Sequence, residues 1–128
     1  MKSKKTEITY YPGPAGLPFS EAIRVGNMLL LSGQVGTDAA GNIVKGGIKP
    51  ETKQTLKNIK ATLKSCGASL KDVIEVTVTL ADIADWAAMN DVYQTFFKKK
   101  YPVRSAFGAS GLALGARIEI TCRAVLDE

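Results

Sequence analysis

Arg104 and Glu119 are the two charged side chains that combine most readily into chemistry. Each lies in a stretch otherwise rich in small or apolar residues, Pro102-Val-Arg-Ser-Ala-Phe-Gly-Ala109 and Gly115-Ala-Arg-Ile-Glu-Ile-Thr-Cys122. A guanidinium presents a planar fork that matches a carboxylate through two parallel hydrogen bonds. A carboxylate within reach of a water can take its proton. The pair is therefore the candidate for the chemistry, set against a cross-strand salt bridge worth about 0–1 kcal/mol when exposed.

Both stretches read as strands. Val103, Ser105, Phe107 and Ala109 alternate with Arg104, Ala106 and Gly108, and an apolar row of Ala116, Ile118, Ile120, Cys122 and Ala124 alternates with Arg117, Glu119, Thr121 and Arg123. Such period-2 patterning marks strands with one face on a core. A loop centred near Gly111–Leu112 predicts antiparallel pairing of the two, with Arg104 nearly opposite Glu119 on the non-core face.

The 128 residues contain no histidine. That excludes Ser-His-Asp and Cys-His catalysis, the usual zinc sites and imidazole bases, leaving acid–base work to Asp, Glu, Lys, Tyr or Cys. Cys66 and Cys122 lack metal-ligand spacing and are expected as reduced, buried thiols. The length suits a single domain over residues 1–128. No apolar run approaches the roughly 20 residues of a membrane span, and no apolar region follows the basic N-terminus as in a signal peptide. The expectation is a soluble cytoplasmic protein. The net charge of +5 is traced to Lys2, Lys4 and Lys5 in the tail and to Lys98–Lys100, read as finishing a helix whose dipole they complement. With no nucleic-acid motif present, nucleic acid is not an expected partner.

The remaining elements follow from patterning. Tyr10-Tyr11-Pro12-Gly13-Pro14 reads as an extended or turning entry. Gly26-Asn27 between apolar runs predicts a hairpin, and the unbroken Met28–Leu31 a strand buried on both faces. Ile43-Val44 reads as a short edge strand. Pro50 and Glu51 open a helix whose stripe is Leu56, Ile59, Leu63 and Cys66, with Lys53, Lys57, Lys60 and Lys64 on the wet side and Gly67 ending it. Next comes a strand with Ile74, Val76, Val78 and Leu80 on its core face. Asp82 caps a second helix with the stripe Trp86, Met89, Tyr93, Phe96 and Phe97, stopped at Tyr101-Pro102. A helix joining strands requires a crossover, so the sheet is expected to be mixed, in a two-layer α+β domain with both helices on one face. The other face, with Thr77 and Thr79, then lacks cover and predicts association with further copies.

Four stretches together resemble one family, the RidA (YjgF) reactive-intermediate deaminases. Pro18-Phe-Ser-Glu-Ala22 is similar to its Pro-Tyr-Ser-Gln-Ala; Gly26-Asn-Met28 and Ser32-Gly-Gln34 to its first hairpin; Asn90-Asp-Val-Tyr93 with Phe96-Phe97 to its Asn-x-x-Tyr-x-x-Phe-Phe helix; and Pro102-Val-Arg-Ser105 with Gly115-Ala-Arg-Ile-Glu-Ile120 to its Pro-Ala-Arg-Ser and Val-Glu-Ile strands. The resemblance implies a chorismate-mutase-like fold and a homotrimer with one cleft at each subunit interface. It also implies hydrolysis of 2-enamine and 2-imino acids to 2-keto acids and ammonia, without cofactor or metal. On it, Arg104 holds the substrate carboxylate and Glu119 positions the water, while Phe19, Ser32, Gly33, Asn90 and Ala106 line the cleft. Two positions depart: Phe19 stands where the family usually has Tyr, and Ala106 where it often has Cys. The alternative is a non-catalytic, chaperone-like trimer that binds small carboxylates in the same cleft. Glu119 weighs against it, since a pure carboxylate binder gains nothing from a neighbouring negative charge.

Overall fold

A computed structural model describes residues 6–127. Six strands, β1 (Ile8–Pro12), β2 (Ser20–Val25), β3 (Met28–Leu31), β4 (Val73–Leu80), β5 (Val103–Gly108) and β6 (Ile118–Val125), form one sheet. Their order is β1-β2-β3-β6-β4-β5. Helix α1 (Ile48–Ser65) joins β3 to β4, and α2 (Trp86–Tyr93) joins β4 to β5. The crossover through α2 lays β5 parallel to β4, and every other neighbouring pair is antiparallel. The expected α+β architecture holds.

The core explains why the helices share one face. Leu56, Ile59 and Leu63 of α1 and Met89 and Tyr93 of α2 join one buried cluster with Leu29, Val76, Val78, Ile118, Ile120 and Cys122 of the sheet. Lys53, Lys57, Lys60 and Lys64 are exposed on the other side of α1. Gly67, at φ 80°, lets the chain leave the helix in a left-handed turn. There Ala68 N donates to Leu63 O (2.8 Å) and Gly67 N to Lys64 O (3.1 Å), satisfying two terminal carbonyls. Gly26, at φ 60°, makes the β2–β3 hairpin turn.

Several expectations are corrected. The entry segment is a strand, β1, while Ile43-Val44 forms only an isolated bridge, Thr37 with Ile43. Pro12 is tolerated because β1 is an edge strand that ends at a bulge. β5 and β6 are not neighbours, because β4 lies between them. The connection straddles the end of β4 instead of turning back on itself: Ala109 N donates to Leu80 O (2.8 Å) and Ala81 N to Arg117 O (2.9 Å). In β4 a register shift between Val73 and Glu75 buries Val73 and leaves Ile74 exposed.

β3 is internal to the sheet, yet it alternates. Leu29 and Leu31 are buried, whereas Met28 and Leu30 are half-buried on the face without helices. Asp82 caps a 3-10 turn (Ile83–Asp85) that precedes α2, its carboxylate accepting from Ala84 N. Because α2 ends at Tyr93, Lys98–Lys100 lie beyond its last turn and do not complement its dipole. Of the expected α2 stripe, Met89, Tyr93 and Phe97 are buried, while Trp86 is exposed. Lys2, Lys4 and Lys5 lie outside the described residues. Among those residues no helix is long and apolar enough to cross a membrane.

Candidate functional site

The pairing of β4 with both neighbours fixes where each candidate residue stands. Thr79 pairs with Glu119 on one side and Phe107 on the other, whereas Val76 pairs with Arg104 and Cys122. Directly paired residues share a face. Glu119 therefore lies on the open face with Thr79, and Arg104 on the helix-covered face with buried Val76 and Cys122. Two strand spacings and three residues of rise put their Cα atoms roughly 14 Å apart. The expected cross-strand pair does not exist within one chain. The two rows of β5 are also exchanged relative to expectation: Val103 is 69% exposed, while Arg104 and Ala106 are half-buried.

Around Glu119 the chain builds a groove of about 600 Å³, lined among others by Phe19, Glu21, Ser32 and Gly33. β3 continues past Leu31 along β6, with Leu30 paired to Arg123 and Gln34 bridged to Ile120. Three residues there oppose two, so Ser32-Gly33 sits at a bulge, a feature that re-aims side chains. Gly33 leaves the space the carboxylate uses: a Cβ on it would stand 2.6 Å from Glu119 Oε2. The Ser32 hydroxyl donates to Ser20 O, tying the groove wall to β2. Glu21, the extra residue of the β2 bulge, accepts from Gln34 Nε2 (2.9 Å) and Thr62 Oγ1 (2.8 Å).

On the other face Arg104 is held on three sides. Its Nη1 donates to Asn90 Oδ1 (2.7 Å), and its Cζ lies 4.8 Å from the Tyr93 ring centroid and 5.7 Å from that of Trp86. Among the described residues no carboxylate lies within salt-bridge distance of it. The guanidinium opens on a pocket of about 350 Å³ shared with Asn90, Tyr93, Tyr101 and Pro102. Burial pushes the Tyr93 hydroxyl up to about 12, against the lowering influence of the Arg104 charge, so the phenol stays neutral beneath the cation. Ala106, on the same row of β5, packs against the core. The structure thus brings Phe19, Ser32, Gly33 and Glu119 together in one place, and Arg104 and Asn90 in another. Among the described residues, no cluster of three or more His, Cys, Asp or Glu side chains is placed to hold a metal.

A family model described as endoribonuclease L-PSP matches residues 12–126. The 2-iminobutanoate/2-iminopropanoate deaminase of Homo sapiens is 41% identical over 115 residues, spanning 89% of this chain and 83% of that protein. A RutC family protein of Pyrococcus horikoshii is 49% identical over 110 residues, 85% of this chain and 86% of its own. The crystal structure of RidA from a Psychrobacter species superposes with a TM-score of 0.83 at 33% identity, covering 91% of this chain and 94% of that one. The chain belongs to the RidA (YjgF) family.

Within this RidA-family chain, four further groups stand beside or support these two groups of candidate residues, and their positions were not legible in the sequence. Trp86 and Tyr93 read there as core residues, yet their rings flank the guanidinium of Arg104. Glu21 lies inside a motif that carried the resemblance, but only the bulge shows that its carboxylate turns toward α1. Glu51 is fully buried; its Oε2 accepts from Arg117 N (2.7 Å) and its Oε1 lies 3.7 Å from Arg117 Nη1. That contact pins the start of α1 to the residue before β6, two positions from Glu119.

Proposed function

We propose that this protein hydrolyses 2-imino and 2-enamine acids to 2-keto acids and ammonia, at clefts between the copies of a homotrimer. The observation that carries the reading is the Arg104 guanidinium, fixed by Asn90 and two aromatic rings yet paired with no carboxylate among the described residues. Such a cation is free to bind the carboxylate of a small acid. The deaminase names of relatives about 40% identical over most of the chain support the same reaction.

Because Arg104 and Glu119 occupy opposite faces of one subunit, a single substrate meets both only between two copies. Association is supported by the open sheet face, where Ile8, Tyr10, Val103 and Phe107 are exposed without a covering layer among the described residues. In the assembled cleft, Arg104 of one copy grips the substrate carboxylate and sets the imine carbon one bond away. Glu119 of a neighbour takes a proton from water as its oxygen bonds to that carbon. Nitrogen takes up that proton as the C=N π pair moves onto it, giving the carbinolamine; the hydroxyl proton then passes through Glu119 to nitrogen, the carbon–nitrogen bond breaks as C=O forms, and ammonia leaves the keto acid. Imines hydrolyse slowly in water unaided, so orientation and one base suffice. The family model's description names an endoribonuclease. The Glu119 groove of one chain carries two carboxylates, Glu21 and Glu119, and the proposed cleft adds a single arginine, far fewer cations than a nucleic-acid backbone calls for.

The test is ammonia release, or semicarbazone trapping, with imines generated in situ by an amino-acid oxidase. Acceleration above the uncatalysed rate is expected, and rates equal to background sink the reading.

A further inference from the structure

The groove beside Glu119 is larger and greasier than a three- or four-carbon acid requires. On one chain it is an open groove of about 600 Å³, which a neighbouring copy closes in the proposed cleft. Leu17, Phe19 and Leu114, which are 53%, 48% and 68% exposed, line it together with Pro14, Val35 and Glu119. Three large apolar side chains left in water around one groove mark a surface that gains from being covered.

Leu114 adds an independent observation. It is the one non-glycine residue with positive φ among those described, at φ 61° and ψ 16°. A residue with a Cβ adopts that conformation only at a cost, and such strain gathers at binding sites. Glycine follows it at φ 67°, so the strained leucine is not forced by lack of a flexible neighbour. The turn holds an apolar side chain over the groove, five residues before Glu119, where no core residue needs it.

We infer that this apolar wall receives the substrate's side chain. The preferred substrates are then imines of 2-amino acids with bulky aliphatic or aromatic side chains, and Leu114 is the residue that sets the preference. The inference rests on the deaminase reading above. With the carboxylate on Arg104 and the attacking water on Glu119, the third substituent of the imine carbon is left to fill the apolar part of the groove. Each methylene it buries there strengthens binding roughly fourfold.

The experiment measures two quantities on one series. Calorimetry gives the affinities for pyruvate, 2-ketobutyrate, 4-methyl-2-oxopentanoate and phenylpyruvate. Ammonia release gives kcat/KM for the matching imines of alanine, 2-aminobutyrate, leucine and phenylalanine. Both should rise, by about 10–50-fold from the alanine to the leucine member. Leu114→Gly and Leu114→Asn both suit a left-handed backbone and preserve the turn. Each should lower the leucine-to-alanine ratio by about fivefold or more.

A flat series with genuine turnover overturns the inference and spares the deaminase reading. A graded affinity series without turnover does the reverse, leaving an apolar acid-binding groove. An unchanged ratio in both Leu114 variants, accompanied by weakened assembly, overturns the inference by making Leu114 a contact between subunits.

Discussion

Gly33→Ala probes the geometry of the proposed base without touching it chemically. The backbone at Gly33 does not lie in the left-handed region, so alanine brings no conformational penalty of its own. Its Cβ would stand 2.6 Å from Glu119 Oε2, 2.9 Å from Cδ and 3.2 Å from Cγ. Ordinary contact begins near 3.4 Å, so the carboxylate must retreat by roughly 0.8 Å, and as the far end of a flexible side chain it can. The fold should therefore survive, with a thermal midpoint within about 3 °C of wild type. The position of the attacking water should not. A displacement near 1 Å at a reacting group costs about 10²-fold, so kcat for imine hydrolysis should fall about 30–100-fold. The assay is ammonia release under saturating imine, alongside a thermal melt. A normal melt with unchanged kcat would refute the placement of the carboxylate over Gly33 as a condition of turnover.

Glu119→Gln keeps the shape and removes the proton acceptor; kcat should drop about 10²–10⁴-fold while the affinity for a keto acid holds or rises, and unchanged turnover ends the general-base role. Arg104→Lys keeps the charge but loses the fork and the ring contacts; kcat/KM should fall by about 10–150-fold, the worth of a charge-assisted hydrogen bond of about 1.5–3 kcal/mol, with assembly intact by sedimentation. On the alkaline side, burial raises Cys122 from 9.0 to about 12 and Tyr93 from 10.0 to about 12. Both bind their protons more tightly when folded, so their stabilising contribution is complete below about pH 9 and is lost as pH rises to 12, at up to about 1.4 kcal/mol per pH unit for each group. Denaturant melts from pH 8 to 12 should show that decline, and Cys122→Ala should flatten it between pH 9 and 10.

The elements legible in the sequence are those whose periodicity has one interpretation. Leu56, Ile59 and Leu63 against four lysines can only be an amphipathic helix, and Ile118, Ile120 and Cys122 against Glu119 and Thr121 can only be a strand with Glu119 facing away from the core. β5 gave no such signal. Val103, Ser105 and Phe107 are no more polar as a row than Arg104 and Ala106, so hydropathy cannot set its phase. What sets it is α2, whose Asn90, Trp86 and Tyr93 accept a guanidinium under the helix layer. A charged residue reads as solvent-facing until such a cradle is seen. The error in pairing β5 with β6 has a related origin, since nothing in residues 109–117 reveals that they cross the end of β4. The sequence motifs thus named the candidate residues, while their distribution over two faces emerged only from the sheet register. The conformation of Leu114 left no trace in the sequence.

Subunit complementation tests the central claim most directly. Arg104→Ala and Glu119→Gln should each inactivate every cleft of the proposed trimer. After denaturation and refolding of an equal mixture, a cleft is intact wherever an Arg104 from the Glu119→Gln chain meets a Glu119 from the Arg104→Ala chain. Random assembly makes that roughly one cleft in four, so imine hydrolysis should return to about 25% of the wild-type rate. Recovery near that level establishes that the arginine and the glutamate of one cleft come from different copies. A mixture as inactive as its parents, with mixed trimers verified by native mass spectrometry, contradicts the account.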